Sequence, residues 1–163
     1  MKTLLLLRHA KSDWDAAYGG DHDRPLARRG LKAAPRMGRF LARAGFVPQY
    51  CLASSAVRAR HTAELAAEAG GWDCPMEVTE FLYEASVEEL VELLAEQPDT
   101  VDTLLLVGHE PVWSTLASRL IGGGELRLPT AAMACVRWEA STWRRAASEP
   151  GQLLWLVTPR LVK

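Results

Sequence analysis

Leu4-Leu5-Leu6-Leu7-Arg8-His9-Ala10 is the stretch on which the fold turns. Four leucines in a row show no polar alternation and are bounded by polar residues, which suits a short strand buried on both faces. Such strands belong to parallel sheets covered by helices. The run stops at Arg8-His9, a cation beside an imidazole at the C-terminal end of the strand.

A polar segment follows from Ala10 to about Pro25 and contains Gly19-Gly20. Gly30, Ala33, Ala34, Met37, Phe40, Leu41 and Ala44 then recur at helical spacing, with Pro35 inside the stretch as an expected kink and Gly45 as the stop. Tyr50–Ala53 reads as a second strand. Ser54 or Ser55 is placed to cap a helix running from Ala56 to about Ala69, closed by Gly70-Gly71. Glu77–Thr79 is a weaker strand. Ser86-Val87-Glu88-Glu89 matches a capping box, and Leu90, Leu93 and Leu94 give the next helix its apolar face. Thr103–Val107 is another buried strand, ending at Gly108-His109. Pro111 falls at the start of a helix that runs to about Leu120, before Gly122-Gly123-Gly124. Ala132–Trp138 and Leu153–Val157 complete the strands. Strands alternating with helices predict an α/β fold around a mostly parallel sheet, with residues 1–163 forming a single domain.

Arg8-His9, Arg58 and His109 each follow the C-terminal end of a strand or open the next helix. Ligands of open α/β sheets bind in the crevice beyond those strand ends. Arg58 sits where the helix dipole disfavours a cation, so an anion between it and the helix N-terminus would explain its presence. Two guanidiniums can grip a phosphoryl group bidentately. Two imidazoles add a nucleophile and a donor; an imidazole of ordinary pKa near 6.5 is largely neutral at pH 7. Phosphoryl transfer depends mostly on positioning and on cations around the equatorial oxygens, and this set supplies both without a metal.

Composition narrows the classes. The chain has 163 residues, 48% hydrophobic and 24% charged, with a formal net charge of −1. That size accommodates a sizeable core, and that charge gives no reason to expect nucleic acid or an acidic membrane surface as partner. No apolar run approaches the ~20 residues of a membrane span, and the N-terminal leucines are too few for a signal sequence. Cys51, Cys74 and Cys135 form no CxxC pair and read as reduced thiols of a cytoplasmic protein.

Arg8-His9-Ala10, Arg24-Pro25-Leu26 with Gly30, Ser54-Ser55-Ala56-Val57-Arg58-Ala59 with Thr62, and Val107-Gly108-His109-Glu110-Pro111 follow in the order of the histidine phosphatase superfamily. The chain resembles its SixA group of phosphohistidine phosphatases most. The resemblance implies a phosphoglycerate mutase-like fold: a three-layer α/β sandwich with a mostly parallel central sheet flanked by helices. It implies that His9 is the nucleophile that becomes phosphorylated, that Arg8 and Arg58 bind phosphate, and that His109 is the second histidine of the phosphate pocket. It implies no cofactor and no metal. The family's usual Arg-His-Gly is Arg-His-Ala here, at Ala10. Many members also use an acidic proton donor between the second and third motifs, for which Glu80 and Glu84 are the nearest candidates, Glu84 being the expected donor.

Leaving-group chemistry favours one substrate. An alkoxide needs a strong general acid, whereas an imidazole is far less basic and leaves more readily. A weak or absent protein acid therefore fits phosphohistidine in a protein. A small phosphomonoester is the alternative substrate, although a chain of this length leaves little room for the segments that enclose sugar phosphates. A catalytically idle phosphoprotein-binding module is the alternative of a different class, and it would not require His9. Lys11 and Ser12 follow His9 closely and are candidate phosphate contacts. Thr130, just before the Ala132 strand, is placed to reach the pocket, and Trp14, in the loop after His9, to border the substrate. His22 and His61 read as surface histidines, and zinc at His9, His22 and His109 lacks the spacing such sites use.

Overall fold

A computed structural model describes residues 1–163. Six strands form one sheet: β1 Lys2–Arg8, β2 Tyr50–Ser54, β3 Met76–Thr79, β4 Thr103–Gly108, β5 Met133–Trp138 and β6 Gln152–Val157. Their order across the sheet is β3-β2-β4-β1-β5-β6. β1 to β4 run parallel, β5 is antiparallel to β1, and β6 is antiparallel to β5. The sheet is therefore mostly parallel, as expected from the alternation of strands and helices.

The four leucines of β1 are all fully buried, for the reason their sequence suggests. Successive side chains of a strand point to opposite faces. Leu4 and Leu6 join one core and Leu5 and Leu7 the other. The first core includes Leu90 and Leu94 of α4 (Val87–Ala95), Trp113 and Leu116 of α5 (Val112–Leu120), and Trp143 and Ala146 of α6 (Trp143–Ser148). The second includes Ala34, Met37 and Leu41 of α1 (Arg28–Ala44) and Ala59, Ala63 and Ala66 of α2 (Val57–Gly70). Helices thus cover both faces of the sheet, giving three layers. Gly38 marks the closest approach of α1 to α2, since a Cβ there would lie 1.9 Å from the Ala66 carbonyl oxygen.

Several expected details shift. α1 continues through Pro35, which removes one donor from the helix but leaves the element whole. The serine expected to cap α2 does not: Ala56 is the N-cap, with no side-chain cap bond. The capping box of α4 forms as read, Ser86 and Glu89 each bonding the other's backbone N–H. Two short helices escape the sequence reading, α3 (Phe81–Glu84) and α6, because four to six residues carry too little periodicity. A 3-10 turn at Asp21–Asp23 also lies inside the segment read as a loop.

Candidate active site

Strand register brings the two histidines together. β1 and β4 are parallel neighbours with Arg8 paired to Gly108, so His9 and His109 leave adjacent strands at the same height. The His9 N–H donates to the Gly108 carbonyl at 2.9 Å. The imidazole centroids are 5.2 Å apart. β2 lies on the other side of β4 and delivers Ser54, then Arg58 in the first turn of α2. Arg8, His9, Arg58 and His109 gather at the C-terminal edge of the sheet, where β1 and β4 feed helices on opposite faces.

His9 is 7% exposed, and its Nδ1 lies 2.8 Å from the Ala10 carbonyl oxygen. A carbonyl only accepts, so Nδ1 carries the proton and the neutral ring keeps its lone pair on Nε2. Burial, and then the charges of His109, Arg58 and Arg8, pull the His9 pKa down to about 3. The ring is therefore neutral at pH 7 and presents Nε2 as a nucleophilic nitrogen.

Ala10, the residue in place of the family glycine, fits without strain. It is fully buried beside α1 and α2, and it has no positive φ. Its N–H donates to Thr62 Oγ1 at 3.0 Å, and that hydroxyl donates to the Arg58 carbonyl at 2.6 Å. The loop carrying the nucleophile is thereby tied to the helix carrying Arg58.

His109 is oriented by Ser54. Ser54 Oγ lies 2.7 Å from His109 Nε2 and accepts the Ala56 N–H at 3.3 Å. Ser54 is fully buried and its hydroxyl has no other acceptor within reach, so it donates its proton to Nε2, which leaves the His109 proton on Nδ1. Nδ1 is buried and has no hydrogen-bond partner. The same is true of Arg8 Nε and Arg58 Nε. Burial, and then Arg58, hold the His109 pKa near 4.

Arg58 already holds an anion, supplied by the chain itself. Its Nη1 donates to the Asp21 carbonyl at 2.7 Å and its Nη2 to the Asp21 carboxylate at 2.9 Å. The same carboxylate accepts from the Tyr83 hydroxyl at 2.7 Å and from Arg24 Nη1 at 2.5 Å. The Tyr83 hydroxyl, then Arg24 and Arg58, keep the Asp21 carboxyl well below the usual carboxylate range. The Tyr83 ring stands edge-on to both His22 and His109, with centroids 5.0 and 5.5 Å apart. His22 Nε2 lies 2.8 Å from Ser55 Oγ, so His22, with its side chain 39% exposed, borders this cluster from the surface. Asp21, Arg24, Tyr83 and Ser54 were not singled out from sequence as site residues. Arg24 and Ser54 stand inside the motif segments, whereas Asp21 and Tyr83 carry no local signal beyond a carboxylate and a phenol near them.

The remaining candidates lie elsewhere. Glu84 is exposed, and no hydrogen bond or ion pair joins it to the cluster. Adjacent helical residues point about 100° apart, so α3 turns Tyr83 toward the site and Glu84 away, beside Glu80 and Glu89. The Ser12 hydroxyl is buried and accepts from Arg24 Nε at 2.9 Å. Lys11 and Thr130 line a separate cavity with α1. Trp14 is 63% exposed and stacks under the Arg24 guanidinium at 3.6 Å.

An uncharacterised protein of Mycobacterium tuberculosis is 37% identical over 155 residues, covering 89% of this chain and 93% of that one. A candidate phosphohistidine phosphatase SixA from Nakamurella multipartitia superposes with a TM-score of 0.82 at 27% identity, covering 97% of this chain and 96% of that one. A candidate alpha-ribazole-5'-P phosphatase from Escherichia coli shares the fold at TM-score 0.75 and 20% identity, each chain covered to 98%. The model of the histidine phosphatase superfamily (branch 1) matches residues 4–102, a span that includes His9 and Arg58. This chain, with its paired arginines and histidines at the sheet edge, belongs to the histidine phosphatase superfamily.

Proposed function

We propose that the chain is a phosphatase that removes phosphate from phosphohistidine in a protein, through a phosphoryl group carried on His9. Arg8, Arg58 and His109 hold the phosphoryl oxygens, and the three unpartnered donors Arg8 Nε, Arg58 Nε and His109 Nδ1 are the ones an anion entering the cluster relieves. His9 Nε2 attacks phosphorus, a P–N bond forms, and the substrate's P–N bond breaks. The substrate ring leaves as neutral imidazole when its other nitrogen is protonated. Water then attacks the phosphoryl group on His9 and releases inorganic phosphate.

One observation carries the choice of substrate. The carboxylate built into the cluster is Asp21, and Tyr83, Arg24 and Arg58 hold it ionised. It has no proton to give. Glu110 is also unsuited, since its carboxylate accepts from the N–H and hydroxyl of Ser114. A site without a carboxylic acid suits an imidazole leaving group better than an alkoxide. The similarity to SixA-type structures supports the same reading. Cationic side chains supply the charge for the transfer, so turnover is expected to survive EDTA.

The three cysteines are free, and no helix is long and apolar enough to cross a membrane. Both facts are compatible with a cytoplasmic site of action acting on a phosphohistidine-bearing protein.

The test is rapid quench with labelled phosphohistidine protein, followed by mapping of the label. Label that appears on His9 and decays at the turnover rate supports the covalent route. A His9→Ala protein that folds and keeps near-normal turnover overturns it. Faster hydrolysis of a phosphomonoester than of phosphohistidine would overturn the substrate assignment alone.

A further inference from the structure

Beside the phosphoryl cluster lies a cavity of about 540 Å³ with an unusual wall. Lys11, Arg29, Lys32, Arg36 and Arg160 line it, and no aspartate or glutamate does. None of the five forms a salt bridge. The whole chain has a net charge of −1, so five uncompensated cations in one basin are a local concentration rather than a general excess. Like charges so placed repel one another, and an anion between them removes that cost.

The cavity is adjacent to the site in two ways. Lys11 is two residues beyond His9. Thr130, also in its wall, precedes Ala131, whose N–H donates to the His9 carbonyl at 3.1 Å. The floor is completed at Thr158-Pro159-Arg160, where β6 ends. β6 is antiparallel to β5 and β5 to β1, so β6 ends at the same sheet edge as Arg8. Arg36 Nη1 donates to the Pro159 carbonyl at 3.1 Å and fixes that wall against α1.

We propose that this basin docks an acidic segment of the phosphoprotein substrate, so that protein substrates are selected by charge beside the phosphoryl pocket. The inference rests on the phosphohistidine reading above. Its geometry favours a protein over a small polyanion. Arg29, Lys32 and Arg36 stand at i, i+3 and i+7 on α1, a row about 10 Å long at 1.5 Å rise per residue. Arg29, Lys32 and Arg160 are exposed. Solvent-facing cations spread over that length match carboxylates distributed along a segment. They also steer an acidic partner from a distance and set its orientation.

Kinetics on three substrates test this. The substrates are phosphoramidate, a short phosphohistidine peptide with neutral flanks, and the same peptide flanked by a run of glutamates. Wild-type enzyme is expected to show a KM roughly tenfold lower for the acidic peptide than for the neutral one, with an advantage that fades as salt rises. In the Arg29→Glu, Lys32→Glu, Arg160→Glu variant that advantage disappears, while kcat and phosphoramidate hydrolysis stay within about twofold of wild type. The glutamine version of the same triple variant gives an intermediate loss and guards against misfolding of the charge-reversed one. Equal KM for both peptides on wild-type enzyme overturns the inference. So does tripolyphosphate binding at the basin, lost in the variant, with no preference for the acidic peptide. Failure of wild-type enzyme to hydrolyse phosphoramidate counts instead against the phosphohistidine reading, and docking is then read from fluorescence anisotropy of the acidic peptide.

Discussion

Asp21 grips Arg58 through two atoms, its carbonyl at 2.7 Å and its carboxylate at 2.9 Å. Arg58 occupies the first turn of α2, where a cation opposes the helix dipole. Asp21 supplies the compensating anion and fixes the direction of the guanidinium. A guanidinium has five N–H groups, so two bonds to Asp21 leave three for a phosphoryl oxygen. Asp21 is therefore read as a positioning residue for Arg58.

Asp21→Asn should weaken that grip without unfolding the chain. The carboxylate side chain is half exposed, so the lost charge-assisted bond is worth about 1 kcal/mol, roughly a fivefold fall in kcat/KM. Phosphate affinity should fall with it. Unchanged or improved phosphate binding would show that Asp21 competes with substrate instead of orienting Arg58.

Ser54→Ala should release the His109 tautomer. The hydroxyl proton on Nε2 is what keeps the His109 proton on Nδ1. In ¹⁵N spectra of the imidazole, wild-type His109 should show a protonated Nδ1, and the variant a mixture. A fall of about tenfold in kcat is expected, a typical size for a lost orienting hydrogen bond. An unchanged tautomer in the variant would remove the argument.

Glu84→Gln should leave turnover of phosphohistidine within about twofold of wild type, because surface substitutions away from a site cost little. The residue is exposed and turned from the cluster. A tenfold loss would place Glu84 in the chemistry and require α3 to rotate when substrate binds.

Acid should destabilise the fold through the buried histidines. Their folded pKa values, near 3 for His9 and 4 for His109, lie below the unfolded value of about 6.5. Between pH 6.5 and 4 the unfolded chain binds protons that the native chain refuses, so stability falls as pH falls. The slope is at most about 1.4 kcal/mol per pH unit for each histidine. Asp21 acts in the same direction but in a lower window: its stabilisation holds above about pH 4 and fades only below it, so it leaves this range to the histidines. Urea unfolding of wild type and of a His109→Asn variant between pH 7 and 5 should show a shallower pH slope in the variant. Equal slopes would mean that His109 is not buried as a neutral ring.

Much of the fold was legible because its carriers are local. Leu4–Leu7 reads as a two-faced buried strand because a parallel strand in a three-layer fold must be apolar on both sides. Ser86 and Glu89 announce the start of α4 because a capping box needs only four consecutive residues. Arg8, His9, Arg58 and His109 could be named because each sits at a strand end or helix start. Tertiary structure decided the rest. Only the parallel register of β1 with β4 sets His9 opposite His109, and only the 3-10 turn lays Asp21 across Arg58. Glu84 and Tyr83 are neighbours in sequence, yet helical geometry sends one to solvent and the other to the site. Local sequence determines which groups are present and which elements carry them. Contacts between residues 37 or 62 positions apart, such as Asp21 with Arg58 or Tyr83, depend on how separate elements pack, and no short stretch of sequence encodes that distance.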